Sequence, residues 1–81
     1  MVRLNRAVAV AEVDGPAAGL ALLAGLDGPL ARYHLLPAVR ADLLRRLGRT
    51  AEASTAYDEA IALAGATAER EFPQRRRAEL P

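Results

Sequence analysis

Residues 43–65 read LLRRLGRTAEASTAYDEAIALAG, and this stretch decides the fold. Upstream of Gly48, Leu36, Val39, Leu43, Leu44 and Leu47 recur at helical spacing. Downstream, Ala53, Ala56, Tyr57, Ala60, Ile61 and Ala64 form a second apolar stripe of the same period. Gly48 suits the left-handed residue that ends a helix. Thr50 fits the N-cap of the next helix, with Glu52 in its first turn and Gly65 closing it. Ala41 and Ala53 are small residues on the facing stripes, so the two helices can approach closely. The expectation is an antiparallel helical hairpin.

The same pattern extends outward. Gly and Pro punctuate the chain at Asp14-Gly15-Pro16, Asp27-Gly28-Pro29, Gly48 and Gly65. Between them lie five helix-length segments: Arg3–Val13, Pro16–Leu26, Tyr33–Leu47, the stretch after Thr50, and Thr67–Leu80. Pro16 suits a first helical position, where a missing N–H costs nothing. Pro37 is tolerable if its helix starts near Leu35 or Leu36, with 27–34 forming a loop. Pro73 sits well inside segment five, which is expected to kink or break there.

Shifting the chain by 34 residues places small on small and large on large. Ala41 follows Ala7, Ala53 follows Gly19, Leu44 follows Val10, Leu47 follows Val13 and Tyr57 follows Leu23. A 34-residue period of paired helices resembles the tetratricopeptide repeat (TPR). With His34 as first position, Ala41, Leu44, Gly48, Ala53, Tyr57 and Ala60 occupy the repeat's characteristic sites. Pro37 and Gly65 depart from it. The expected fold is all-α: two TPR-like antiparallel helix pairs and a C-terminal capping helix, in one right-handed domain spanning 1–81. An ordinary helical bundle with an accidental period is the competing reading.

Composition supports helices. The 81 residues include 19 Ala and 13 Leu but only Tyr33, Tyr57 and Phe72 as aromatics. There is no Cys, which excludes disulfides, thiolate metal sites and cysteine nucleophiles. The expected compartment is cytoplasmic, with no signal peptide and no run able to span a bilayer. The net charge of +1 gives no global pull toward nucleic acid or membrane. All 11 basic residues are Arg, which points to mutational bias in a GC-rich genome.

No constellation for catalysis, cofactor or metal is found. His34 is alone and reads as a packing or capping residue. Asp58-Glu59 and Glu69 with Glu71 read as solvated faces. Ser54, Thr50 and Thr55 have no GxSxG setting or neighbouring base. Gly15, Gly19, Gly25 and Gly28 follow no strand, so no phosphate loop is expected. Arg75-Arg76-Arg77 would fan over about 200° of a helix rather than form one basic patch. The expectation is a non-enzyme without cofactors.

TPR geometry points the first helix of each pair into a concave groove. The register places Asn5, Val8 and Glu12 there from segment one. It adds Val39, Asp42, Arg45 and Arg46 from segment three, and Arg76 and Glu79 from segment five. Such a groove would hold a peptide, with Arg gripping a carboxylate. Val2, Leu4, Val8 and Ala11 are expected to be an exposed apolar face on the first helix, able to drive homodimerisation of the isolated chain.

A more specific resemblance rests on Leu4–Ala11 (LNRAVAVA), Gly15–Leu20 (GPAAGL), Tyr33–Leu36 (YHLL) and Arg40–Arg49 (RADLLRRLGR). Together these resemble the C-terminal, TPR-like extension of actinobacterial extracytoplasmic-function sigma factors. The resemblance implies a regulatory protein–protein module supporting transcription initiation. Its partners would be its own sigma domains, core RNA polymerase or a signalling protein. DNA would be contacted only by sigma regions 2 and 4, which this chain lacks. A free-standing scaffold or oligomerisation module unrelated to transcription is the alternative.

Overall fold

The computed structural model describes residues 2–26, 28, 33–65 and 67–80. Among these residues five helices follow in order: α1 (Val2–Asp14), α2 (Pro16–Ala24), α3 (Leu35–Arg46), α4 (Thr50–Leu63) and α5 (Thr67–Ala78). No strand occurs among the described residues. Each helix packs on the next, and α1 also meets α3. The radius of gyration is 11.7 Å, about that of a compact chain of this length. The expected loop falls largely on Asp27 and 29–32, outside the described residues.

Small residues set the closest helix approaches. Ala7 and Ala11 are buried on α1, opposite buried Gly19 on α2. A Cβ on Gly19 would stand 2.8 Å from the Ala11 Cβ, 3.0 Å from the Ala7 carbonyl oxygen and 3.0 Å from Leu43 Cδ1. One period later, Ala41 and Ala53 are fully buried in one cluster with Leu44, Ala56 and Tyr57. Ala7 with Gly19 and Ala41 with Ala53 are thus pairs of buried small residues on neighbouring helices, 34 residues apart. Ala41→Leu should cost about 1–3 kcal/mol through overpacking, read by denaturant melts. At the third equivalent site stands Arg75, which is exposed.

The turns follow local chemistry. Gly15 links α1 to α2 at φ 99°, and Pro16 opens α2. Gly48 ends α3 at φ 77°. The Arg49 amide donates to the Leu44 carbonyl at 2.9 Å and the Gly48 amide to Arg45 at 3.0 Å, the paired bonds of a Schellman cap. Gly48→Ala should cost about 1–2 kcal/mol, since Cβ disfavours left-handed backbone. Thermal melting checks this, and an unchanged midpoint would contradict it.

Three expectations need correction. Thr50 does not cap α4: it is the first helical residue, Arg49 is the cap, and no side chain bonds there. Arg49 instead grips Glu52, with nitrogen–oxygen distances of 2.8 and 2.6 Å. Pro73 neither ends nor breaks α5, which runs on to Ala78. Its ring is buried, and anchors hold the helix on both sides of it. His34 Nε2 lies 3.3 Å from Glu69 before the proline, and Arg77 Nε lies 2.6 Å from Asp58 after it. Finally, Leu4 and Ala11 are not exposed: they are 3% and 4% accessible because α2 and α3 cover them. The Val2 side chain lies outside the described residues. Of the expected face, Val8 alone is exposed among the described residues.

Candidate functional site

Helices α1, α3 and α5 share one side of the molecule, and a cavity of about 220 Å³ opens between them. Its walls are apolar. Val8 of α1, Leu35 and Val39 of α3, and Phe72 of α5 converge on it, with Ala38 and Leu43 beneath. Three of these are large side chains left substantially in water: Val8 at 39%, Leu35 at 37% and Phe72 at 50%. Each comes from a different helix, so no single amphipathic stripe accounts for the patch.

Charged groups rim one end. Arg46 reaches from α3 to Glu12 of α1 at 3.0 Å and to Asp42 at 3.4 Å. Arg45 lies 2.6 Å from Asp42. Glu12 of α1 and Arg46 of α3, 34 residues apart in sequence, touch directly. Two guanidinium groups are thereby matched by two carboxylates.

Of the residues expected in a groove, the structure brings together Val8, Glu12, Val39, Asp42 and Arg46. Asn5 is exposed but does not line the cavity. Arg45 turns toward α4 and lies beside the Tyr57 hydroxyl. Arg76 stacks 5.2 Å from the centre of the Phe72 ring and stands 3.9 Å from Glu79, at the cavity's edge. Arg45 and Arg46 pair with carboxylates of this chain. Leu35 and Phe72 were missed by sequence reasoning. The available signal was Phe72 itself, an aromatic within an otherwise charged segment.

Tyr57 is fully buried between α3 and α4. Burial pushes its phenol above the ordinary value, while the neighbouring Arg45 guanidinium pulls it down less strongly. A raised folded-state value means its stabilising contribution is complete below the unfolded phenol's pKa, about 10. It is lost as pH rises above that. The chain should therefore lose stability above about pH 10, and Tyr57→Phe should flatten that loss. Urea melts across pH 8–11 check this. An equal alkaline loss in Tyr57→Phe would contradict it.

His34 does not reach this cavity. It packs edge-on to Tyr33 with ring centres 5.4 Å apart and ties α3 to α5 through Glu69. Asp58 and Glu59 stand near Arg77 and Arg40, on the α4 surface. Among the described residues no cluster of three or more His, Asp or Glu could hold a metal ion. Among them also, no helix is long and apolar enough to cross a membrane.

No known protein family and no solved structure matches the chain. An uncharacterized protein of Rhizobium meliloti (strain 1021) is 50% identical over 64 residues, 79% of this chain. The match covers only 15% of that protein's length.

Proposed function

We propose that the chain is a non-catalytic protein-interaction module that acts within a longer cytoplasmic protein. Its reading is the TPR-like, right-handed extension of an extracytoplasmic-function sigma factor. The observation that carries the interaction role is the cavity where exposed Val8, Leu35 and Phe72 of three separate helices meet. An apolar recess with a polar rim is the usual form of a protein-recognition surface. The TPR-like reading rests on the buried Ala7–Gly19 and Ala41–Ala53 pairs and on the Glu12–Arg46 pair, all related by 34 residues. The sigma-factor reading rests on the sequence resemblance. The Rhizobium relative supports a modular reading, since it carries the matching stretch as a small part of a long chain.

The test uses purified components. The immobilised chain should retain either the sigma domains of the full-length factor or core RNA polymerase. Retention of neither contradicts the sigma reading. A full-length gene without promoter-binding and polymerase-binding helices upstream of Leu4 contradicts it equally.

A further inference from the structure

We propose that α5 is a hinged strap that undocks as one unit while α1–α4 stay folded, so that its docking makes and unmakes the recess between α1, α3 and α5. The proposal rests on the interaction reading above for the use of that recess, and it adds how the recess is regulated. Burial gives the first argument. Each of α1–α4 buries at least two of its described residues, whereas α5 buries only Pro73. Phe72 is 50% exposed. Leu80, just past the helix, is partly buried against the Ala41–Tyr57 cluster. The other holds are polar. Arg77 reaches Asp58 of α4 at 2.6 Å, both about half exposed. His34 lies 3.3 Å from Glu69, and Arg70 Nε donates to the Ala64 carbonyl at 3.3 Å. Segments with few buried apolar contacts open first, and exposed ion pairs hold weakly.

Backbone gives the second argument. Ala64 ends α4 in extended geometry, at ψ 131°. Gly65 follows it, exposed, with nothing within 4 Å of the place a Cβ would take. The chain can turn there without crossing a packed side chain. Pro73 lacks the N–H that would bond the Glu69 carbonyl. A helix as short as the twelve residues of α5 is marginal by itself in water. Undocked, α5 therefore melts, and its amides open together. Phe72 is the described residue by which α5 lines the recess. Docking brings it to Val8 and Leu35; undocking removes that wall and uncovers the cluster under Leu80. A group bound against Phe72 favours the docked state, and by linkage whatever weakens docking weakens binding.

Native-state hydrogen exchange of the full chain, followed by NMR, tests this. The amides of residues 74–78 should share one opening constant, at least about a hundredfold larger than that of residues 56–60 in α4. The Phe72 amide should share it too, since a first turn that stayed docked would leave the recess wall in place. Asp58→Asn lies outside α5 at an exposed position. It should raise the shared constant about two- to fivefold and leave the α4 amides unchanged. Simple fraying of a chain end gives instead a graded rise that a change on α4 does not move. Exchange with the constant of α4, a graded rise toward Leu80, rates indifferent to Asp58→Asn, or a Phe72 amide as protected as α4 would each overturn the proposal. None of these measurements uses a partner, so each leaves the interaction reading to the retention test above.

Discussion

Gly19→Leu should cost about 3 kcal/mol or more and leave the chain largely unfolded under mild heating. The Cβ alone would meet Ala11 Cβ at 2.8 Å and a backbone oxygen at 3.0 Å. Neither can swing away as a flexible side-chain tip could. A leucine would force α1 from α2 and press Leu43 of α3 as well. Overpacking usually costs about 1–3 kcal/mol, and more where backbone must move. Gly19→Ala is the graded control. It gains up to about 1 kcal/mol of helix propensity but keeps the 2.8 Å clash, so a net loss is expected. Chemical denaturation of both variants measures this. Wild-type stability in Gly19→Leu would mean that α1 and α2 do not pack as described.

Tyr57→Ala should be comparably severe, at about 3–5 kcal/mol. Tyr57 is fully buried and among the largest such side chains described. It fills the space between α3 and α4 beside Ala41, Leu44, Ala53 and Ala56, and no other described residue of that cluster could close the hole. A domain of this size has about 4–12 kcal/mol in total. The loss would therefore lower the melting temperature by more than about 12 °C. Tyr57→Phe should stay within about 1 kcal/mol, because the lost hydroxyl is buried and lacks a well-formed hydrogen bond. Equal losses in both variants would assign the stability to the hydroxyl and Arg45 rather than to the packed ring.

How much of this was legible in the sequence differs by level. Helix number, the turns at Gly15 and Gly48, and the small-residue contacts follow from spacing alone. Backbone chemistry and close approach admit few residue types at Gly19, Ala41, Gly48 and Ala53. The continuation of α5 past Pro73 was not legible, because local propensity describes an isolated helix. The anchors that hold α5 through it, His34–Glu69 and Asp58–Arg77, lie on different segments. Thr50 was misjudged for a similar reason, since the Arg49–Glu52 pair takes over that turn.

The candidate site was legible in outline only. Periodicity placed Val8, Glu12, Val39, Asp42 and Arg46 on one face. It could not show that Arg46 would be taken up by Glu12, although their opposite charges 34 residues apart were a readable sign. Nor could it show that Leu35 and Phe72 would meet, because exposed apolar residues on separate helices converge only in three dimensions. The ion pairs of Arg45 and Arg46 with Glu12 and Asp42 likewise join residues from separate turns and helices.

The most direct test of the central claim is site-specific photo-crosslinking in the full-length protein. A benzoylphenylalanine replaces Leu35 in the cavity or Thr55 on the exposed face of α4. Illumination in the presence of core polymerase is followed by mapping of the crosslinked residues. The account predicts crosslinks from position 35 to a defined segment of the sigma domains or polymerase, and none to that segment from position 55. Crosslinks from position 55 alone, or from neither position, would contradict it.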